Sequence, residues 1–115
     1  MMNEFIEKLD ELYQAGDPAA VEAYIEAYLA ELTASGLEDG VEYASVLNKQ
    51  AAFYRGVSRY GQSAEAFRKA LDIFRQNGLY ESVQYAAVLL NLAGLYRLAG
   101  HPEKAVGQFL EAKDI

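Results

Sequence analysis

One heptapeptide occurs twice. Val41-Glu42-Tyr43-Ala44-Ser45-Val46-Leu47 returns as Val83-Gln84-Tyr85-Ala86-Ala87-Val88-Leu89, with five of seven positions identical at an offset of 42 residues. A period between roughly 20 and 50 residues marks a chain built of stacked units, each too small to bury its own apolar face and completed by its neighbours. The same offset pairs Ala51, Tyr54, Arg55, Phe67, Ala70, Asp72 and Ile73 with Ala93, Tyr96, Arg97, Phe109, Ala112, Asp114 and Ile115.

Around these landmarks the apolar residues recur at three- and four-residue spacing, the period of a helix with one buried face. No stretch sustains the alternation of a strand. Met2 to Ala15 is expected as a helix burying Phe5, Ile6, Leu9, Leu12 and Tyr13. Gly16-Asp17-Pro18 ends it and begins the next. Glycine suits a left-handed residue after a helix, aspartate caps the following N-terminus, and proline is tolerated at a first helical position. The second helix should run from Pro18 to about Ala34 with Val21, Tyr24, Ile25, Tyr28, Leu29 and Leu32 inward. Ser35 to Gly40 break the pattern, with Gly36 just past the helix end.

A third helix is expected over about Val41 to Val57, burying Tyr43, Val46, Leu47, Ala51 and Tyr54. After Ser58-Arg59-Tyr60-Gly61, a fourth should run from about Gln62 to Gln76 on Phe67, Ala70, Leu71 and Phe74. Asn77-Gly78-Leu79 repeats Ser35-Gly36-Leu37, a fifth helix spans about Ser82 to Ala99, and Gly100-His101-Pro102 repeats the earlier Gly-x-Pro punctuation before a sixth. Short turns make consecutive helices antiparallel neighbours. The chain is therefore expected to be all-α, a single domain of residues 1–115 with repeats at about 2–36, 41–78 and 82–115.

Charge narrows the function classes. Residues 1–40 hold ten acids and one base, Lys8, whereas residues 41–115 hold seven acids and nine bases, for an overall net charge of −7. An acidic front half does not suit a nucleic-acid binder, whose affinity rests on neutralising phosphates. It suits a solvated face or a basic partner. With no cysteine there is no disulfide framework and no thiolate site, which fits a reducing compartment. No run is apolar enough to span a membrane and the first residues do not read as a signal peptide, so the cytoplasm is the expected location.

The pattern small-x-x-Tyr, small-x-x-x-Phe, Ala occurs as Ala51, Tyr54, Ser63, Phe67, Ala70 and again as Ala93, Tyr96, Ala105, Phe109, Ala112. It resembles the tetratricopeptide repeat, in which small residues sit where paired helices approach closest and aromatics fill the gaps beside them. Its length is similar to the longer 42-residue variety found in kinesin light chains and many bacterial proteins, as are Leu89-Leu90-Asn91-Leu92-Ala93 and Leu47-Asn48-Lys49-Gln50-Ala51. The resemblance implies an α-solenoid of three antiparallel helix hairpins in a right-handed superhelix. It covers residues 42–115 well; the first hairpin places Leu9 and Val21 at the small positions and Ile25 at the aromatic one, as a diverged capping repeat would.

Chemistry that would make an enzyme is missing from the sequence. His101 is the one histidine and falls in a turn, HExxH and phosphate-cradling glycine loops are absent, and Glu7 with Glu11 reads as a solvated helix face. No cofactor and no metal is expected. The resemblance instead implies a protein or peptide partner, with no nucleic acid and no membrane, held on a concave face made by the first helix of each hairpin. By register that face carries Asn3, Asp10, Tyr13 and Gln14, then Ser45, Asn48, Lys49, Ala52 and Arg55, then Asn91, Gly94 and Arg97. Arg55 and Arg97 hold equivalent positions one repeat apart and form a plausible clamp for a carboxylate. The chaperone-tail type of carboxylate clamp is not matched, because the expected basic positions are Gly56 and Leu98.

The sixth helix, by analogy with the fourth, should reach about residue 118. Val106, Phe109, Leu110 and Ile115 would then present an uncovered apolar end, either continued by further repeats in a longer protein or paired with a second copy as a homo-dimer. Two alternatives to a peptide-binding scaffold are an oligomerisation or structural module of a larger repeat protein and the peptide-sensing domain of a bacterial regulator.

Overall fold

The computed structural model of the chain describes residues 2–79 and 82–100. They form five helices: α1 (Met2–Gln14), α2 (Pro18–Ala34), α3 (Val41–Gly56), α4 (Tyr60–Gln76) and α5 (Val83–Leu98), with no strand among the described residues. The expected sixth helix lies outside the described residues, and with it His101, Val106, Phe109, Leu110 and Ile115.

Helix ends repeat as faithfully as the heptapeptide. α2 starts where Asp17 accepts a hydrogen bond from the Ala20 amide and Pro18 takes the first helical position. Three helices end in the same backbone turn. Leu37 N–H bonds to Leu32 O and Gly36 N–H to Thr33 O; Arg59 N–H bonds to Tyr54 O and Ser58 N–H to Arg55 O; Leu79 N–H bonds to Phe74 O and Gly78 N–H to Arg75 O. This pair of bonds is the Schellman arrangement, and it needs a left-handed residue just past the helix. Gly16, Ser58 and Gly100, each 42 residues apart, have φ of 71°, 63° and 84°. Ser58 is the one non-glycine residue with positive φ among the described residues, and it stands where the other two copies carry glycine.

That turn corrects the start of α4. The helix begins at Tyr60, not Gln62, because Val57 and Ser58 complete the reversal and Arg59 already serves as N-cap. The same reversal places Pro18 first in α2, 42 residues earlier. Serine 58 and Arg59 lack the glycine and aspartate of that earlier turn, so the sequence there gives no comparable signal.

The core runs through all five helices. Every residue expected inward on α3 and α4 is buried, joined by Ala44, Phe53, Ser63, Ala66 and Ile73. α3 packs on α2, α4 and α5, and its contact with α4 is the most extensive. The cause is side-chain size: Ala51 faces Ser63 at the crossing, and the fully buried Ser63 hydroxyl donates to Ala51 O at 2.7 Å. In the first pair Leu9 and Val21 hold these two positions. They are buried too, but α1 and α2 make far less close contact. Phe5 fills the space between them, its ring 4.4 Å from Tyr28 and 5.4 Å from Tyr24. Tyr13 departs from the expected buried stripe. It is 47% exposed, because the α3 surface opposite is built of small residues and leaves a pocket there.

Candidate functional site

The odd-numbered helices neighbour one another: α3 touches α5, and α1 faces α3 across the pocket at Tyr13. On α3, Ser45, Asn48, Ala52 and Arg55 follow three- and four-residue spacing and so share one side of the helix. On α5, Asn91 and Gly94 do the same. Between them lies a polar seam. Asn91 Nδ2 donates to Asn48 Oδ1 at 3.2 Å, and Arg55 Nη1 reaches Asn91 O at 3.5 Å. Gly94 makes the guanidinium's position possible, since a Cβ on it would lie 3.4 Å from Arg55 Nη1. All three polar side chains are half-buried.

Arg55 forms no ion pair among the described residues; its contacts there are a backbone carbonyl and a glycine. A guanidinium carries five N–H donors, so this arrangement leaves donors in excess of acceptors. The Asn48–Asn91 bond likewise uses one donor and one acceptor of the pair and leaves the rest of both amides for a ligand. Ser45 is less available, because its hydroxyl donates to Val41 O one turn back at 3.0 Å.

The other residues assigned by register do not join this cluster. Asp10, Lys49 and Arg97 are exposed and make no hydrogen bond or ion pair among the described residues. Arg97 is one repeat beyond Arg55, and Tyr13 one repeat before it. Tyr13 lines a pocket of about 210 Å³ with Ala52, Phe53 and Gly56 of α3 and Val21 of α2, and burial raises its hydroxyl pKa. Gly56 and Leu98 occupy the two positions where a carboxylate clamp would need cations, and Leu98 is 59% exposed.

Two sets of contacts were not legible beforehand. Phe53 and Val57 line the Tyr13 pocket although the helical stripe gave them no role. Arginines of α4 also grip the tyrosines of α5: Arg68 Nε and Nη2 donate to Tyr96 Oη at 3.1 and 2.5 Å, and Arg75 Nε donates to Tyr85 Oη at 2.7 Å. The available signal was the 42-residue register itself, which sets Arg68 and Arg75 opposite Glu26 and Thr33. Among the described residues no three His, Cys, Asp or Glu side chains converge to hold a metal, and no helix is long and apolar enough to cross a membrane.

A comparison with curated proteins gives no match. A comparison with family models matches residues 42–115 to the tetratricopeptide repeat. That span begins one residue after the start of the repeated heptapeptide and takes in α3, α4, α5 and their junctions. Helices packed in sequence, small residues at the α3–α4 crossing and buried tyrosines one period apart are what such a repeat requires, and the chain belongs to the tetratricopeptide repeat family.

Proposed function

We propose that the chain is a non-enzymatic scaffold that holds a peptide or helix of a partner protein against the face formed by α1, α3 and α5. In this proposal residues 1–115 make one right-handed α-solenoid of three antiparallel helix hairpins, of the kinesin-light-chain-like variety, with a diverged first repeat. The family is in general a protein–protein interaction module. The observation that carries the proposal to this face is the seam of Asn48, Arg55 and Asn91. It joins two successive repeats, and its cation has only neutral neighbours. A guanidinium held by amide and carbonyl groups keeps its full charge for an incoming carboxylate, and its planar fork favours a bidentate contact. Arg97 repeats the charge one period on. Asp10, Tyr13 and Lys49 extend the same face, with the Tyr13 pocket sized for one apolar side chain of the ligand.

The test is an array of acidic, neutral and basic peptides read for binding to the full chain and to an Arg55→Ala/Arg97→Ala variant. Acidic peptides should bind the parent and lose at least about tenfold in affinity on the double variant, which removes two charge-assisted hydrogen bonds. Far-UV circular dichroism of the variant should be unchanged. Equal binding by parent and variant would move the site elsewhere.

A further inference from the structure

The opposite side of α3 carries a second groove, walled by α2 and α4. Its volume is about 490 Å³, and Tyr43, Leu47, Gln50 and Tyr54 of α3 form its floor. The repeat supplies its own comparison. One period on, between α4 and α5, the equivalent pocket is about 230 Å³, and Arg68, Leu71, Arg75, Leu92 and Tyr96 line it. Those positions correspond to Glu26, Leu29, Thr33, Gln50 and Tyr54 at the offset of 42.

The two grooves differ in who satisfies the tyrosines. In the downstream groove Arg68 and Arg75 donate to the hydroxyls of Tyr96 and Tyr85 and cover their rings, at 5.6 and 5.3 Å from the ring centroids. In the upstream groove Glu26 and Thr33 stand in their places. Tyr43 and Tyr54 are only 9% and 8% exposed, yet neither hydroxyl has a hydrogen-bond partner among the described residues. Buried hydroxyls are normally bonded. The cations nearby contact rings and not hydroxyls: Lys69 Nζ lies 5.5 Å from the Tyr43 centroid, and the Arg59 guanidinium lies 5.7 Å from that of Tyr54 while its Nη1 pairs with Glu22 at 2.6 Å. Glu26 and Glu65 at the walls have no ion pair among the described residues. The field is negative at the floor as well, since Glu22 and Glu26 add to burial in raising the Tyr54 pKa.

We propose that the α2–α4 groove receives an arginine side chain from a basic segment of a partner protein, its guanidinium pairing with Glu26 and donating to the Tyr54 hydroxyl. The downstream groove holds this arrangement within the chain, with Arg68 as donor and Tyr96 as acceptor. Upstream, the exchange of arginine for glutamate at position 26 turns a filled joint into a receptor. A guanidinium reaches carboxylate and hydroxyl together through separate N–H groups, whereas a lysine ammonium is a point charge. Arginine is therefore preferred over lysine. This surface lies across α3 from the Arg55 seam, and it selects the opposite charge.

The experiment titrates the full chain with a fluorescently labelled penta-arginine peptide and, separately, a penta-lysine peptide, at two salt concentrations. Penta-arginine should bind more tightly than penta-lysine. Glu26→Arg, which installs the residue of the downstream groove, should weaken penta-arginine binding by at least about tenfold, the scale of one charge-assisted hydrogen bond. Tyr54→Phe, which keeps the ring, should weaken it less and reduce the preference for arginine. Glu38→Gln, an exposed acid outside the groove, should change nothing. Equal affinity for the two peptides would overturn the proposal, as would equal losses in Glu26→Arg and Glu38→Gln, because either result means unspecific attraction to an acidic surface. Self-association of the parent, seen in sedimentation and abolished by Glu26→Arg, would also overturn it and assign the groove to a second copy. The Arg55→Ala/Arg97→Ala variant should bind penta-arginine normally, which separates this site from the acidic-peptide site.

Discussion

Ser58→Gly should stabilise the protein. Ser58 sits at φ 63° in the turn between α3 and α4, where its N–H bonds to Arg55 O at 3.1 Å and the next N–H bonds to Tyr54 O at 2.8 Å. A left-handed conformation costs an L-residue roughly 1–2 kcal/mol, because Cβ crowds the following carbonyl, and glycine escapes that cost. Against it stands the greater freedom of glycine in the unfolded chain, about 0.4–1 kcal/mol. The difference favours glycine by about 0.5–1 kcal/mol, or roughly 2–6 °C in Tm for a domain of this size. The serine hydroxyl forms no hydrogen bond among the described residues, so its removal costs no contact. Urea unfolding with the m value held as a control is the assay. Gly36→Ala and Gly78→Ala, at φ 72° and 74° in the equivalent turns of the second helices, serve as reciprocal probes and should each destabilise by about 1 kcal/mol. A Ser58→Gly variant no more stable than the parent would refute the claim that this serine is strained by occupying a glycine position.

Two further outcomes concern the packing. The Tyr28 hydroxyl donates to Glu42 at 2.5 Å, and this hydrogen bond, with burial behind it, pushes its pKa from 10.0 up to about 12. The folded state favours the neutral phenol, so this contribution to stability is whole below pH 10 and is lost as pH rises through 12. Stability measured from pH 9 to 12 should fall, and Tyr28→Phe should shallow the fall. Ser63→Ala should cost about 1 kcal/mol in urea unfolding for the lost bond to Ala51 O, while Ser63→Leu should cost more, by overpacking the α3–α4 crossing.

The helix order and the buried faces of α3 and α4 were legible because glycine, aspartate and proline mark the turns and the apolar spacing is regular. The start of α4 was not, since a backbone hydrogen-bond pair makes that turn without a favourable residue at Ser58. Tyr13 was misplaced because the periodicity of a helix says which residues share a face but not whether a neighbour covers them; Ala52 and Gly56 are too small to do so. At the candidate site the register found Asn48, Arg55 and Asn91 by position. It did not show that Asn48 and Asn91 bond to each other, or that Gly94 admits the guanidinium. Arg68 with Tyr96, 28 positions apart, was invisible for the same reason: contacts between helices depend on a packing geometry that single-helix spacing does not encode.

The contacts of this fold are short in sequence. Among the described residues, the side-chain hydrogen bond of longest span joins Asn91 to Asn48, 43 positions apart, about one period. Each helix therefore meets its partners soon after it leaves the ribosome, with no distant segment to await, and such local topologies fold fast. Rigidity is graded in the same way. α1 leans chiefly on α2, whereas α3 is held by three neighbours, so backbone amides near the first turn should exchange with solvent long before those of α3. A duplication or loss of one 42-residue unit would leave the remaining joints intact, which makes the length of such a chain, and the reach of its binding face, a quantity that evolution can adjust in whole steps.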